Sequence, residues 1–185
     1  MSQTGKSPAT VFVDRDGVIN EKLPEGHYVT GLQDLRLLPG SIDALARLSK
    51  SGRLVIVVTN QQGVAKGLVT EEALEEIHSA ITAAVDSHGG RIDSILVCPH
   101  LQGTCDCRKP KTGLFEQARE RFPKISFQDS VMVGDSITDM EAAHAIGARA
   151  VRITENPLAS RAPGTPIEVS TLSKAADLIL EAANV

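Results

Sequence analysis

The sequence predicts an α/β protein built on a doubly wound, mainly parallel sheet. Strand-like and helix-like segments alternate from end to end with no internal repeat or low-complexity tract, which is the pattern of βαβ units. The strand-like runs are continuously apolar and β-branched, as strands covered on both faces read, and lack the alternation of half-exposed strands. With 185 residues, 42% of them hydrophobic, the chain can bury one sizeable core, so residues 1–185 are expected to form a single domain.

The expected strands are Thr10 to Val13, Leu54 to Thr59, Ile92 to Cys98, Ser130 to Val133 and Ala150 to Ile153. Between them, Ser41 to Lys50 places Ile42, Leu45 and Leu48 on one face, and Thr70 to His88 does the same with Leu74, Ile77, Ile81 and Val85, a period near 3.6. Thr70 reads as an N-cap, Glu71 and Glu72 suit the positive end of the helix dipole, and Gly89-Gly90 reads as the stop. Further helices are expected at Gly113 to Phe122, Asp139 to Ile146 and Ser173 to Ala183, the last preceded by a Pro- and Gly-containing loop from Glu155 to Pro166.

Composition narrows the function. The net charge is −4 with no dense Lys/Arg block, so the long-range field repels polyanions. One Tyr, four Phe and no Trp leave little for stacking on bases. No nucleic-acid partner is expected. The segment Met1 to Ala9 is short and polar, unlike a secretory signal, and no run reaches membrane-spanning length. Three cysteines, an odd number, argue for a reducing compartment. The expectation is a cytoplasmic monomer with no membrane partner.

Ligands of open parallel sheets bind beyond the carboxyl ends of the strands. Those positions hold Asp14-Arg15-Asp16, Thr59-Asn60-Gln61-Gln62, Cys98-Pro99-His100 and Gly134-Asp135. Asp14 and Asp16 would be costly to bury without a cation or hydrogen-bond donors. Magnesium, which takes oxygen ligands and often bridges carboxylates to phosphate, suits this pair together with Asp135. Helix or turn capping is the plainer reading for any one of these acids. Around a phosphate ester, Asp14 could attack phosphorus while Asp16 shuttles the proton, with Thr59 and Lys109 neutralising the phosphoryl oxygens.

In sequence order, Asp14-Arg15-Asp16-Gly17, Thr59, the Lys of Arg108-Lys109-Pro110, and Gly134-Asp135-Ser136-Ile137-Thr138-Asp139 resemble the motifs of the haloacid dehalogenase superfamily over roughly residues 10 to 155. The resemblance implies a Rossmann-like fold with Asp14 as nucleophile, Asp16 as general acid/base and metal ligand through its backbone carbonyl, Thr59 and Lys109 as phosphoryl anchors, and Asp135 as a magnesium ligand. Asp139 is open between a supporting role and helix capping.

All three cysteines and one of the five histidines fall in residues 98–107. Cys98, His100, Cys105 and Cys107 make a closed tetrahedral zinc set, which would be structural and would present Arg108 and Lys109. Buried cysteines beside a surface histidine are the alternative. This loop, with Asp-Arg-Asp-Gly and Thr59-Asn60-Gln61-Gln62-Gly63, is similar to the heptose bisphosphate phosphatases and related histidinol-phosphate phosphatases, the former fitting better. A small sugar phosphate is the implied substrate. Ser136 departs from members with Lys at that position, so a substrate contact from that Lys does not carry over.

Arg108 offers a planar fork for phosphate or sugar oxygens. Asn60 and Gln61 could bind sugar hydroxyls or only hold their loop, and Lys66 and Lys111 are weaker candidates. No segment is long enough for a large cap domain, so a minimal cap is expected, with Asn20 to Leu38 and the zinc loop walling an open site. Two other classes compete: a phosphorylated signalling receiver, which would want its acceptor Asp after the third strand, and a zinc-stapled binding module without activity.

Overall fold

The computed structural model describes residues 9–158 and 165–181. Its strands β1 (Thr10–Val13), β2 (Leu54–Asn60), β3 (Ser94–Cys98), β4 (Ser130–Gly134), β5 (Arg149–Ile153) and β6 (Ile167–Val169) form one sheet in the order β3-β2-β1-β4-β5-β6, with every pairing parallel. The chain runs outward from β1 to β3 and then returns to the other side, so the crevice between β1 and β4 is the topological switch point.

Helices α1 (Ser41–Lys50), α2 (Glu71–Ser87) and α5 (Leu172–Glu181) cover one face, and α3 (Gly113–Arg121) and α4 (Ile137–Ile146) the other. Each central strand feeds both layers because successive side chains point oppositely. Val11, Val13, Val55 and Val57 pack with Leu45, Ile77 and Ile81, while Phe12, Ile56, Val58 and Met132 pack with Leu114, Phe115 and Ala142. The rings of Phe12 and Phe115 meet edge-on at 5.0 Å between centroids. Double coverage is why these strands read as unbroken apolar runs.

Several boundaries differ from the sequence reading for local reasons. Thr70 does cap α2, its Oγ1 accepting from Ala73 N–H at 3.1 Å. β3 starts after Asp93, which is turned to accept from Val55 N–H through its side chain while its own N–H bonds Val55 O. α4 begins two residues earlier than expected because Ser136 and Asp139 form a capping box. β6 escaped the sequence reading: Ile-Glu-Val is too short to stand out beside a Pro/Gly-rich loop. Residues 159–164 of that loop lie outside the described residues, as do Ala182 and Ala183 at the end of the expected last helix.

Candidate active site at the sheet switch point

Register places the chemistry. Val13 pairs with Val57 on one side and Val133 on the other, so β1 and β4 deliver Asp14 and Asp135 to the same sheet edge while β2 runs on to Thr59 and Asn60. Asp14 continues the ladder, donating its N–H to Val133 O at 2.9 Å. The chain then turns sharply, with Ile19 and Asn20 N–H groups both bonded to Arg15 O. Gly17 makes this turn with φ +86°, and a Cβ there would stand 2.5 Å from Asp135 Oδ2. Only glycine lets the first motif press against the fourth.

Lys109 binds the constellation together. It is 3% exposed. Its Nζ reaches Asp14 Oδ1 at 2.9 Å, Asp139 Oδ1 at 2.6 Å and Val58 O at 2.7 Å. Asp139 is wholly buried; its second oxygen accepts from Ser136 N–H at 3.1 Å and Ser136 Oγ at 2.6 Å. Asp139 thus caps α4 and anchors Lys109 at once. Gly134 makes room for it, since a Cβ on Gly134 would lie 2.3 Å from Asp139 Cβ. Asn60 also holds Lys109 in place, its amide donating to Lys109 O at 3.1 Å and accepting from Lys109 N–H at 3.0 Å.

Asp16 stands apart from this cluster. Its carboxylate accepts from Arg15 Nη2 at 2.9 and 3.0 Å, Asn20 Nδ2 at 2.9 Å and Gln61 Nε2 at 2.7 Å. The Gln61 amide also donates to Thr59 Oγ1 at 2.8 Å, so Gln61, only 4% exposed, links the acid to the expected phosphoryl anchor. Against the upward pull of burial, the Arg15 charge and these hydrogen bonds hold Asp16 below the ordinary carboxylate range. Burial dominates at Asp14 instead. Despite Lys109, its pKa rises to about 7 with Asp139 and Asp16 adding repulsion.

Carboxylate oxygens of Asp14, Asp135 and Asp139 lie within 4.8 Å of one another. Asp135 Oδ1 is buried without a hydrogen-bond partner, and Oδ2 meets Lys22 Nζ at 2.6 Å. An orphaned carboxylate oxygen beside two further acids fits a hard divalent cation.

Asp14, Asp16, Lys109 and Asp139 open into a cleft of about 260 Å³ walled by Lys22 to Val29, Asn60 to Gln62 and Arg108. Arg108 lines it with a buried Nη1 that has no hydrogen-bond partner. Lys66 meets the Tyr28 hydroxyl at 2.9 Å, whereas Lys111 is turned to Cys105 O and Asp106. Arg15, Asn20 and Lys22 had no role in the sequence reading. Arg15 and Asn20 carried a signal, polar residues hugging a pair of acids, but only the turn shows whom they serve.

The thiols and imidazole of the 98–107 loop also converge. Cys98 Sγ lies 3.5 Å from Cys105 Sγ and 3.8 Å from His100 Nδ1, and His100 Nδ1 lies 3.2 Å from Cys107 Sγ. A tetrahedral ion with metal–sulfur bonds of about 2.3 Å needs donors roughly 3.8 Å apart. The cluster is therefore compatible with zinc. Burial and the neighbouring sulfurs of Cys98 and Cys105 push the Cys107 thiol up to about 12, so the three thiols do not ionise together unaided.

Residues 106–158 match a family model described as HAD-hydrolase-like. The chain is 42% identical over 144 residues to the D-glycero-beta-D-manno-heptose-1,7-bisphosphate 7-phosphatase of Pseudomonas putida, covering 77% of this chain and 81% of the relative. It is 40% identical over 141 residues to the D-glycero-alpha-D-manno-heptose-1,7-bisphosphate 7-phosphatase of Mycobacterium bovis, covering 76% and 74%. Among solved structures, the D,D-heptose 1,7-bisphosphate phosphatase of B. bronchiseptica, complexed with magnesium and phosphate, superposes with a TM-score of 0.83 at 30% identity over 93% of this chain and 98% of that one. No described helix is long and apolar enough to cross a membrane. With the strand-end acids, the buried lysine and these relatives in agreement, the chain belongs to the heptose bisphosphate phosphatase family of haloacid dehalogenase-like hydrolases, phosphomonoester hydrolases for which magnesium dependence is typical.

Proposed function

We propose that this protein removes the C7 phosphate of D-glycero-D-manno-heptose 1,7-bisphosphate through an aspartyl-phosphate on Asp14. The observation that supports the reading is Lys109 Nζ held between Asp14 and Asp139, which keeps the Asp14 carboxylate at the strand end next to Asp135. The substrate follows from the activity named for the relatives together with a cleft lined by Arg108, a cation suited to a second phosphate.

A carboxylate oxygen of Asp14 attacks phosphorus, and the bond from phosphorus to the C7 oxygen breaks. The departing oxygen takes a proton from Asp16. Water then attacks the aspartyl-phosphate, giving its proton back to Asp16 as inorganic phosphate leaves. The carboxylate of Asp16 suits the second half as it stands. For the first half it must be protonated, and the negative charge of a bound phosphate beside it drives its pKa upward. Lys109 and Thr59 supply a charge and a hydroxyl to the phosphoryl oxygens. Asp14, Asp135 and the Asp16 backbone carbonyl would hold magnesium, which when bound neutralises charge on the phosphoryl group. Cys98, His100, Cys105 and Cys107 would hold a structural zinc ion that keeps Arg108 and Lys109 in place.

The test is phosphate release with magnesium from the heptose bisphosphate, histidinol phosphate and an aryl phosphate in parallel. The bisphosphate should be turned over most efficiently and should lose its C7 phosphate. Preference for histidinol phosphate would overturn the substrate assignment, and Asp14→Asn with full turnover would overturn the mechanism.

A further inference from the structure

Among the described residues, Arg15 is the largest side chain that the fold buries almost completely. One edge of its guanidinium holds Asp16, through Nε at 3.2 Å and Nη2 at 2.9 and 3.0 Å. The opposite edge, Nη1, meets His78 Nε2 at 3.3 Å. His78 lies on α2 beside the buried Ile77 and does not line the cleft.

The chemistry of this contact fixes the imidazole. Arginine has only donors, so Nε2 must be the acceptor and the ring proton must sit on Nδ1. Burial and the Arg15 charge push the His78 pKa down to about 4, which keeps that nitrogen free to accept. A guanidinium gripped at both edges cannot swing about its last bonds. Its grip on Asp16 is then aimed.

Resting on the reading that Asp16 is the proton shuttle, we infer that His78 is a positioning residue for the phosphatase reaction: by accepting from Arg15 it orients the guanidinium that aims the Asp16 carboxylate at the leaving oxygen. Small misplacements of a reacting group cost rate steeply. Loss of the acceptor should slow proton delivery and leave phosphate binding intact.

The experiment compares His78→Leu, which removes the acceptor, with His78→Gln, whose carbonyl oxygen can replace it. On heptose bisphosphate, His78→Leu should lower kcat on the order of tenfold at unchanged KM, and His78→Gln should restore most of it. The pre-steady-state burst of nitrophenolate from p-nitrophenyl phosphate, whose leaving group departs without a proton, should keep its rate. Wild-type kcat in His78→Leu, or an equal loss in turnover and burst, overturns the inference. Imidazole nitrogen shifts in the wild-type protein provide a readout that needs no variant: Nε2 should be the unprotonated nitrogen, and a proton there also overturns it. Failure of the wild type to hydrolyse the bisphosphate would instead sink the substrate assignment, and the imidazole spectrum would still judge the Arg15 contact.

Discussion

The molecule carries two clusters of metal-binding character, built in opposite ways. Asp14 and Asp135 come from the turns just after β1 and β4 and Asp139 from α4, and they share their crevice with Lys109 and Lys22. Cys98, at the end of β3, and His100, Cys105 and Cys107 of the loop that follows come from one ten-residue segment, with four donor atoms within 4.8 Å of one another. The first exists only when the sheet has folded, and it opens into a cleft where a ligand can reach it. The second closes on itself and leaves no donor position for substrate. On the proposed reading, chemistry belongs to the open cluster and stiffness to the closed one.

The sharpest way to break this division is at Asp14. Asp14→Asn should cut turnover on the order of 10⁴-fold or more, because a carboxamide cannot attack phosphorus to form the phosphoenzyme. Its effect on stability should have the opposite sign. The folded-state pKa of Asp14, about 7, lies above its ordinary 3.8, so ionisation opposes folding and the full penalty is present above pH 7. In magnesium-free buffer, Asp14→Asn should therefore melt higher than wild type at pH 8. The advantage should shrink as the pH falls from 7 toward 4, and magnesium should raise the melting temperature of the wild type alone. Calorimetry across that range, with and without magnesium, checks both signs. A variant that melts lower than wild type at pH 8 would show that the Lys109 contact outweighs burial at this site.

Lys109 belongs to both regions, following the cysteine loop in sequence while its ammonium sits among the acids. Lys109→Met leaves Asp14 and Asp139 buried without their shared cation, a loss of about 3–5 kcal/mol. Urea unfolding should show that loss, and activity should fall with it. Cys105→Ser strikes the closed cluster alone. Metal analysis should find the ion gone, and stability should drop by about 3 kcal/mol or more, near 10 °C at roughly 2–4 °C per kcal/mol. Turnover per folded molecule at low temperature should fall far less than in Asp14→Asn. Equal damage to turnover in both variants would erase the distinction between the clusters.

The same contrast explains how much the sequence alone reveals. The closed cluster was legible whole, because its donors are crowded into residues 98–107 and their chemistry is specific. Asp14, Thr59 and Asp135 were legible as residues at the ends of strand-like runs, since parallel strands deliver their ends to one edge, and Lys109 as a cation just after the cysteine loop. What each touches was not. Asn60, a candidate for sugar binding, has both ends of its amide on the backbone of Lys109, and Gln61 spans Asp16 and Thr59. Asp139, open between capping and support, does both through different oxygens. The pairings of Asn60 and Asp139 with Lys109 and of Gln61 with Asp16 join residues tens of positions apart, and all of them depend on side-chain direction, which no spacing rule encodes. β6 was lost for a related reason: three residues at a sheet edge take their identity from pairing with β5.

The smallest expected effect tests what holds the closed loop. Lys111 Nζ ties back to Cys105 O at 2.5 Å and to Asp106 Oδ1 at 2.8 Å, both on the loop and both open to solvent. Exposed contacts of this kind contribute little once side-chain entropy and screening are counted. If four donors on one ion set the loop, Lys111→Ala should leave melting temperature, metal content and turnover unchanged within error. Should Lys111→Ala release the ion or loosen the loop, the hydrogen bonds would be holding the cysteines together, and the closed cluster would depend on its surroundings as much as the open one does.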